Sequence, residues 1–347
     1  MAADTPGRHS AFVFYNCFLM SLRFVIAVLL SIAAISHAAA QSPEAYAVPK
    51  TAYGDPDLQG VWAADFLTTL ERSEGFDHLV ASPEQAQSLV EAIRTNLAGA
   101  DIDPDAYLHD ISQLANVKGE YRTSVIVEPE DGRLPLTQAG LDLVAWSRNR
   151  DATAFDEAAQ RPLVERCLES YGFPPMRSIP YLIPRQIFQT PGQFLMVTED
   201  PVGLRIIHLD GEAPPESVRS LEGHSIGHWE GETLVVRTTN LRADDPARFV
   251  GGGRPLLHSR NAEIEERFTR VSEKELFYRY TVYDDELYSQ PWSGEFSLAL
   301  WDDPIFEYAL PRGEPQHGEH PAWWTIRERQ PHGGGAVAAE TTSHPAV

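Results

Sequence analysis

The 347 residues carry 28 Lys and Arg against 50 Asp and Glu, a formal charge of −22 at pH 7. With 43% hydrophobic and 22% charged residues, the chain can bury a sizeable core and does not fit the composition of a disordered chain. Only Lys50, Lys118 and Lys274 are lysines and no basic run occurs, so nucleic acid and anionic membrane surfaces find too few cations to neutralise their phosphates.

From Met20 the chain reads Met-Ser-Leu-Arg, then an apolar run from Phe24 to Ser36, then His-Ala-Ala-Ala-Gln. A positive residue, a short apolar core and an Ala-x-Ala site predict a secretory signal peptide over residues 1–40, cleaved after Ala40. Residues 1–19 do not fit such a leader, and Met20 is the expected start. The apolar run is too short to span a bilayer, and no later run reaches that length, so the expectation is an exported, periplasmic or secreted chain without membrane insertion. Cys17 falls in the leader, which leaves Cys167 with no partner for a disulfide; its Leu-Val-Glu-Arg-Cys-Leu setting reads as a buried structural thiol.

Residues 41–81 read as an extended segment leading into a first strand at Leu58–Trp62. A helical lobe is expected over 82–160. Ser82-Pro83-Glu84 has an N-cap residue, Pro at the first helical position and an acid in the first turn. Leu89, Val90, Ile93 and Leu97 supply the apolar face of that helix. A second helix is expected over 137–148 with Leu141, Val144 and Ala145 on its face, and a strand over 124–128. From Gln186 the period becomes two. Short strands are expected at 187–189, 194–198, 204–209, 225–229, 233–239, 263–271, 275–283, 292–301 and 305–310, joined by Gly, Pro and Asp turns. Such spacing over 161–313 predicts a mainly β fold, an antiparallel β-barrel or strongly curved sheet, lipocalin-like in broad architecture, followed by a low-complexity tail at 314–347.

Gly223-His224-Ser225-Ile226-Gly227 matches the G-x-S-x-G of a nucleophile elbow, but a turn and a strand follow it where that elbow needs a helix. His224 and His228 are four residues apart. On a strand rising about 3.3 Å per residue they stand about 13 Å from each other, too far to share a metal ion, and no metal site is expected. His317, His320 and His332 read as solvated residues of the tail. G-x-G-x-x-G and the P-loop are both absent, so no nucleotide cofactor is implied. Glu265, Glu266, Arg267 and Arg270 read as an exposed cross-strand charge ladder.

Strand parity separates two faces. Leu276, Tyr278, Tyr280 and Val282 oppose Phe277, Arg279, Thr281 and Tyr283. Trp292, Phe296, Leu298 and Leu300 oppose Glu295 and Trp301. Ser225 and Trp229 oppose His224, Ile226 and His228. The face carrying Arg279, Tyr283, Glu295 and His228 is either a solvated outer surface or the wall of a cavity in which a few polar groups fix a ligand.

The ordered set Gly54-Asp55-Pro56-Asp57-Leu58-Gln59-Gly60-Val61-Trp62, Glu165-Arg166-Cys167-Leu168, Gln189-Thr190-Pro191-Gly192, Leu209-Asp210-Gly211, Gly227-His228-Trp229-Glu230-Gly231-Glu232-Thr233-Leu234-Val235-Val236, Glu266-Arg267-Phe268-Thr269-Arg270, Pro291-Trp292 and Glu307-Tyr308-Ala309 resembles a widespread family of secreted bacterial proteins of no established activity. The resemblance covers residues 50–313 and implies export and a shared fold, not a reaction. Relatives often continue after Glu-Tyr-Ala with Cys-His-Glu-Gly-Asn. Here Leu310-Pro311-Arg312-Gly313-Glu314 stands instead, which removes a disulfide or His-based site that Cys167 could have joined.

Two functional expectations follow. The first is a binder holding a small apolar or aromatic molecule in an aromatic-lined cavity, with Arg279, Trp229, Trp292 and Trp301 as ligand contacts. The second is a cofactor-free lyase, isomerase or cyclase on the same barrel, with His228, Tyr283 and Glu295 as the catalytic groups. A serine hydrolase acting through Ser225 is a third.

Overall fold

Alternation of period two becomes strand in the segments read from Leu204 to Trp301. The computed structural model describes residues 46–98, 111–153, 161–163, 166–177, 183–200, 202–243, 247–248 and 255–306. The chain divides into two units, 1–48 and 49–347, and the account below concerns the second. The signal segment, the Met20 start, Glu307-Tyr308-Ala309 and the tail lie outside the described residues.

Nine strands close into a barrel. In order around the wall they are β1 (Gly60–Ala63), β6 (Arg185–Thr190), β7 (Gln193–Thr198), β8 (Leu204–Leu209), β9 (His224–Glu230), β10 (Thr233–Thr239), β13 (Glu263–Arg270), β14 (Glu275–Tyr283) and β15 (Trp292–Leu300). Closure comes from β1, which pairs β6 on one side and, through Trp62↔Leu300 and Ala63↔Ala299, β15 on the other. A short strand, β5 (Ile126–Glu128), adds to the remaining edge of β15. Every barrel pairing is antiparallel except β8 with β9, which run parallel in the register Ile207↔Ser225, His208↔Ile226 and Leu209↔Gly227. The antiparallel meander expected from the turns is therefore broken once. The connection through 210–223 returns the chain to the end where β8 began instead of reversing it.

Inward parity carries the core. Ile187, Phe194, Met196, Ile207, Leu234, Val236, Phe268, Leu276, Tyr278, Phe296 and Leu298 are all buried in one cluster. Tyr278 sits 5.0 Å from both Phe268 and Phe296, and Tyr280 meets Trp292 edge-on at 5.6 Å. Gly294 lies directly across from Tyr280, and a Cβ there would stand 2.5 Å from the tyrosine ring. The missing side chain is what admits that ring. Packing inside is tight beside Tyr280, Phe296 and Met176, where the void measures only about 10 Å³.

Two helices are described within the span expected to form a helical lobe. Helix α1 (Pro83–Ala98) starts with a capping box: the Gln85 amide donates to Ser82 Oγ at 3.3 Å, and the Ser82 amide donates back to Gln85 Oε1 at 2.9 Å. Ala86, Leu89 and Val90 are buried, with Ile93 packed against them. A three-stranded sheet of β2 (Val80–Ala81), β3 (Asn116–Val117) and β4 (Glu120–Arg122), too short to show a period, stands beside α1. Helix α2 (Gln138–Thr153) is capped by Thr137, whose Oγ1 accepts from the Gly140 amide at 3.1 Å. Its buried stripe is Gly140, Val144 and Ser147, while Leu141 is exposed, contrary to the expected face. Gly140 sets this rotation, because the helix approaches the backbone of Leu287 so closely that a Cβ would lie 2.5 Å from its carbonyl oxygen. A two-stranded ribbon, β11 (Ala247–Arg248) with β12 (Leu256–Leu257), was not foreseen. Ile305 and Phe306 are described outside any strand. No described helix is long and apolar enough to cross a membrane.

Candidate functional site

Barrel closure sorts the seven residues singled out from the sequence. His228, Arg279 and Glu295 lie on the outer wall in one cross-strand row: His228↔Val235↔Arg267↔Arg279↔Glu295. That row places His228 and Glu295 four strands apart, so it does not bring them together. His228 is exposed, with Nε2 3.2 Å from Glu230. Arg279 reaches Glu128 at 2.9 Å and Glu295 at 3.4 Å. Glu295 is buried because Arg122 of β4 covers it, with Nε donating to Oε1 at 3.0 Å. Tyr283 is exposed at the far end of β14, opposite Glu263. Trp292 points inward and is fully buried, Trp229 packs half-buried against the core, and Trp301 follows β15, its amide donating to Val61 at 2.8 Å. The aromatic residues thus form packing, and the polar ones form an outer ladder.

A different polar cluster occupies one end of the barrel interior. Arg205 Nη1 donates to Glu266 Oε1 at 3.0 Å, and Nη2 bonds Glu266 Oε2, Ser225 Oγ at 3.1 Å and Thr238 Oγ1 at 3.3 Å. Tyr278 donates to Glu266 at 2.7 Å. Burial works against the charge of Arg205, but Glu266 outweighs it and keeps the guanidinium firmly protonated. Burial, then Glu266, pushes the Tyr278 hydroxyl far above its ordinary value. Ser225, the serine of the elbow-like motif, lies inside strand β9 and shares its hydroxyl with Thr238 at 2.8 Å. An arginine beside it in place of a histidine base leaves no group to accept its proton.

Residues 169–177 close this end. The Gly172 carbonyl accepts from Arg205 at 3.4 Å, the Met176 amide donates to Tyr278 at 2.8 Å, and the Tyr171 amide donates to Asp200 at 2.9 Å. Arg185 donates to the carbonyls of Ile183, Tyr171 and Arg177, and burial draws its pKa down to about 10. Glu266 corrects the sequence reading, since it is fully buried and not part of an exposed ladder. Strand parity groups it with Ile264 and Phe268, as it groups Arg205 with Ile207. A charge at an apolar-parity position was the available signal for both.

A wide concavity lies outside the barrel, beside α2. It measures about 650 Å³. Ala139 and Leu143 of α2 and Leu287 form its apolar wall, and Arg219, His258, Asn261, Glu216 and Glu286 its polar one. Asp284 holds two of these walls together, accepting from the Ser259 amide at 2.6 Å and the Leu287 amide at 3.4 Å. The Thr137 hydroxyl donates to the Glu286 carbonyl at 2.8 Å and seats the helix start on the same loop. Arg219 ties Glu216 at 2.5 Å to the carbonyls of Leu241 and Arg260. His258 is buried, and its Nε2 donates to the Arg242 carbonyl at 2.9 Å. Burial foremost, then the Arg248 and Arg177 charges, drives its pKa to about 3, so the imidazole is neutral at ordinary pH and its Nδ1 is an acceptor. Cys167 stands apart as a free, half-buried thiol.

Among the described residues no group of three or more His, Cys, Asp or Glu gathers to hold a metal ion. Fold and site together define a closed nine-stranded β-barrel with a filled, plugged interior and an external cleft between its rim and a helix. No protein-family model, curated protein or solved structure matches this chain.

Proposed function

We propose that the protein binds a small apolar or aromatic molecule in the cleft beside α2. The observation that carries the reading is the contrast in space. The cleft offers about 650 Å³ between an apolar wall and a few polar groups, whereas the void among the interior aromatics is about 10 Å³. Small-molecule sites are typically 300–1,000 Å³ with that mixture of walls. The buried aromatic cluster then serves as the rigid floor of the scaffold. Export completes the proposal and rests on the leader-like residues 20–40 and on the resemblance to secreted proteins.

The test is native mass spectrometry of protein purified from cells, followed by thermal shift over a panel of aromatic and aliphatic compounds. Leu143→Trp fills the cleft from a half-buried position on α2. We expect a ligand that raises the melting temperature of the wild type and leaves that of Leu143→Trp unmoved. A ligand that stabilises both chains equally would place binding elsewhere, and the absence of any shift across the panel would remove the proposal.

A further inference from the structure

Two side chains in the wall of the cleft each hold a buried polar atom with nothing to bond. His258 lines the cleft and is 2% exposed, and its Nδ1 has no hydrogen-bond partner among the described residues. The Arg242 carbonyl can only accept, so Nε2, 2.9 Å from it, carries the ring hydrogen and Nδ1 presents a lone pair. Arg219 lines the same cleft with its side chain nine-tenths buried. Its terminal nitrogens reach Glu216 and the carbonyls of Leu241 and Arg260, but among the described residues Nε donates to no group. Buried polar atoms without a partner are costly and rare in folded proteins. In the wall of a cavity they mark where the polar group of a guest belongs.

Resting on the reading of the cleft as a small-molecule site, we propose that its ligand is an uncharged apolar ring bearing a hydroxyl group, and that His258 selects it by accepting the hydroxyl hydrogen at Nδ1. A lone pair on Nδ1 can be satisfied only by a group that brings a hydrogen. An ionised carboxylate, an ether and a plain hydrocarbon bring none. The Nε of Arg219 needs the opposite, an acceptor, and a hydroxyl keeps lone pairs for it while it donates. An ammonium group supplies hydrogens but no such lone pair. Among the lining residues Glu216 and Glu286 balance Arg219 and Arg260, so the cleft offers no net charge to an ionic guest. Burial foremost keeps the imidazole neutral, so Nδ1 stays an acceptor at ordinary pH. Ala139, Leu143 and Leu287 supply the apolar wall for the ring.

The experiment is a calorimetric titration of the full chain with 4-propylphenol, its methyl ether 4-propylanisole and 4-propylbenzoate. A fourth probe, 4-propylcyclohexanol, separates a phenolic from an aliphatic hydroxyl. We expect at least one hydroxyl probe to bind about tenfold or more tighter than the ether, because the analogue without the hydroxyl leaves the buried groups unpaired. The benzoate should bind more weakly than either hydroxyl probe. His258→Leu should erase the preference for hydroxyl over ether and leave ether binding in place, and His258→Gln, whose amide oxygen can accept, should restore part of it. Equal binding of phenol, cyclohexanol and ether, blocked in every case by Leu143→Trp, overturns the hydroxyl selection and leaves the cleft as the site. A preference for the hydroxyl that survives His258→Leu overturns the role of His258. No binding of any probe removes the reading of the cleft and this inference with it. The wild-type comparison stands whatever the leucine variant does to folding.

Discussion

Arg205 and Glu266 show how one charge pair is tolerated inside a barrel. The pair is fully buried; Tyr278 bonds Glu266, and Ser225, Thr238 and the Gly172 carbonyl take the terminal nitrogens of Arg205, while its Nε makes no hydrogen bond. Removing one partner leaves the other as an uncompensated buried charge. Glu266→Gln should therefore cost about 3–5 kcal/mol in urea unfolding. Glu230→Gln, which breaks an exposed contact to Arg267, should change stability little. His258 makes a second prediction. Its native value of about 3 lies below the ordinary 6.5, so between them the unfolded chain binds the proton and the native chain does not. The stability it lends is complete above pH 6.5 and declines as pH falls toward 3, by roughly 1.4 kcal/mol per pH unit. Asp200, Asp65 and Glu222, raised by burial, push the other way, so the measurement is a difference: the wild type should lose more stability than His258→Gln between pH 7 and pH 4. Burial first, and then the neighbouring His208, holds His224 below the usual histidine range, so His208→Ala should move it part of the way back up, read from its imidazole proton shifts.

At the scale of elements, β8, β10 and β14 span the residues their alternation predicts, and α1 starts where Ser82 and Pro83 announce it. These are local signals, since each strand or cap carries its own pattern. β2, β3 and β4 escape because two or three residues cannot display a period, and although β3 and β4 form a tight hairpin, β2 pairs with β4 from about forty residues away. Helix α2 is read correctly in place but not in rotation. Of the expected face of Leu141, Val144 and Ala145, only Val144 is buried, because the close approach at Gly140 brings Gly140 and Ser147 inward with it and leaves Leu141 and Ala145 exposed. The barrel has a similar steric contact at Gly294. Gly294→Ala would drive a methyl into the Tyr280 ring, and we expect it to cost about 1–3 kcal/mol, seen as a lower midpoint in thermal unfolding.

For the whole molecule, composition and alternation pointed to a β-barrel or strongly curved sheet with a helical part and two faces per strand, and the closed pairing decides for the barrel. The parity sets read from β9, β14 and β15 are the sets observed, because side-chain direction follows from the strand itself. Which set faces inward was not decidable there, and closure of β1 onto β15 settles it. The barrel wall puts the aromatic set inside and leaves Arg279, Tyr283 and His228 outside, so the candidate residues never converge. The cleft and the His208–His224 contact were hidden for the same reason. The cleft assembles from α2, the 216–219 turn, 258–261 and 286–287, and the histidine pair from two strands made neighbours by a parallel crossover. Local pattern determines how a segment folds and which way its side chains point. Only the tertiary pairing decides which distant segments share a wall, because those contacts depend on register and closure and leave no period in the chain.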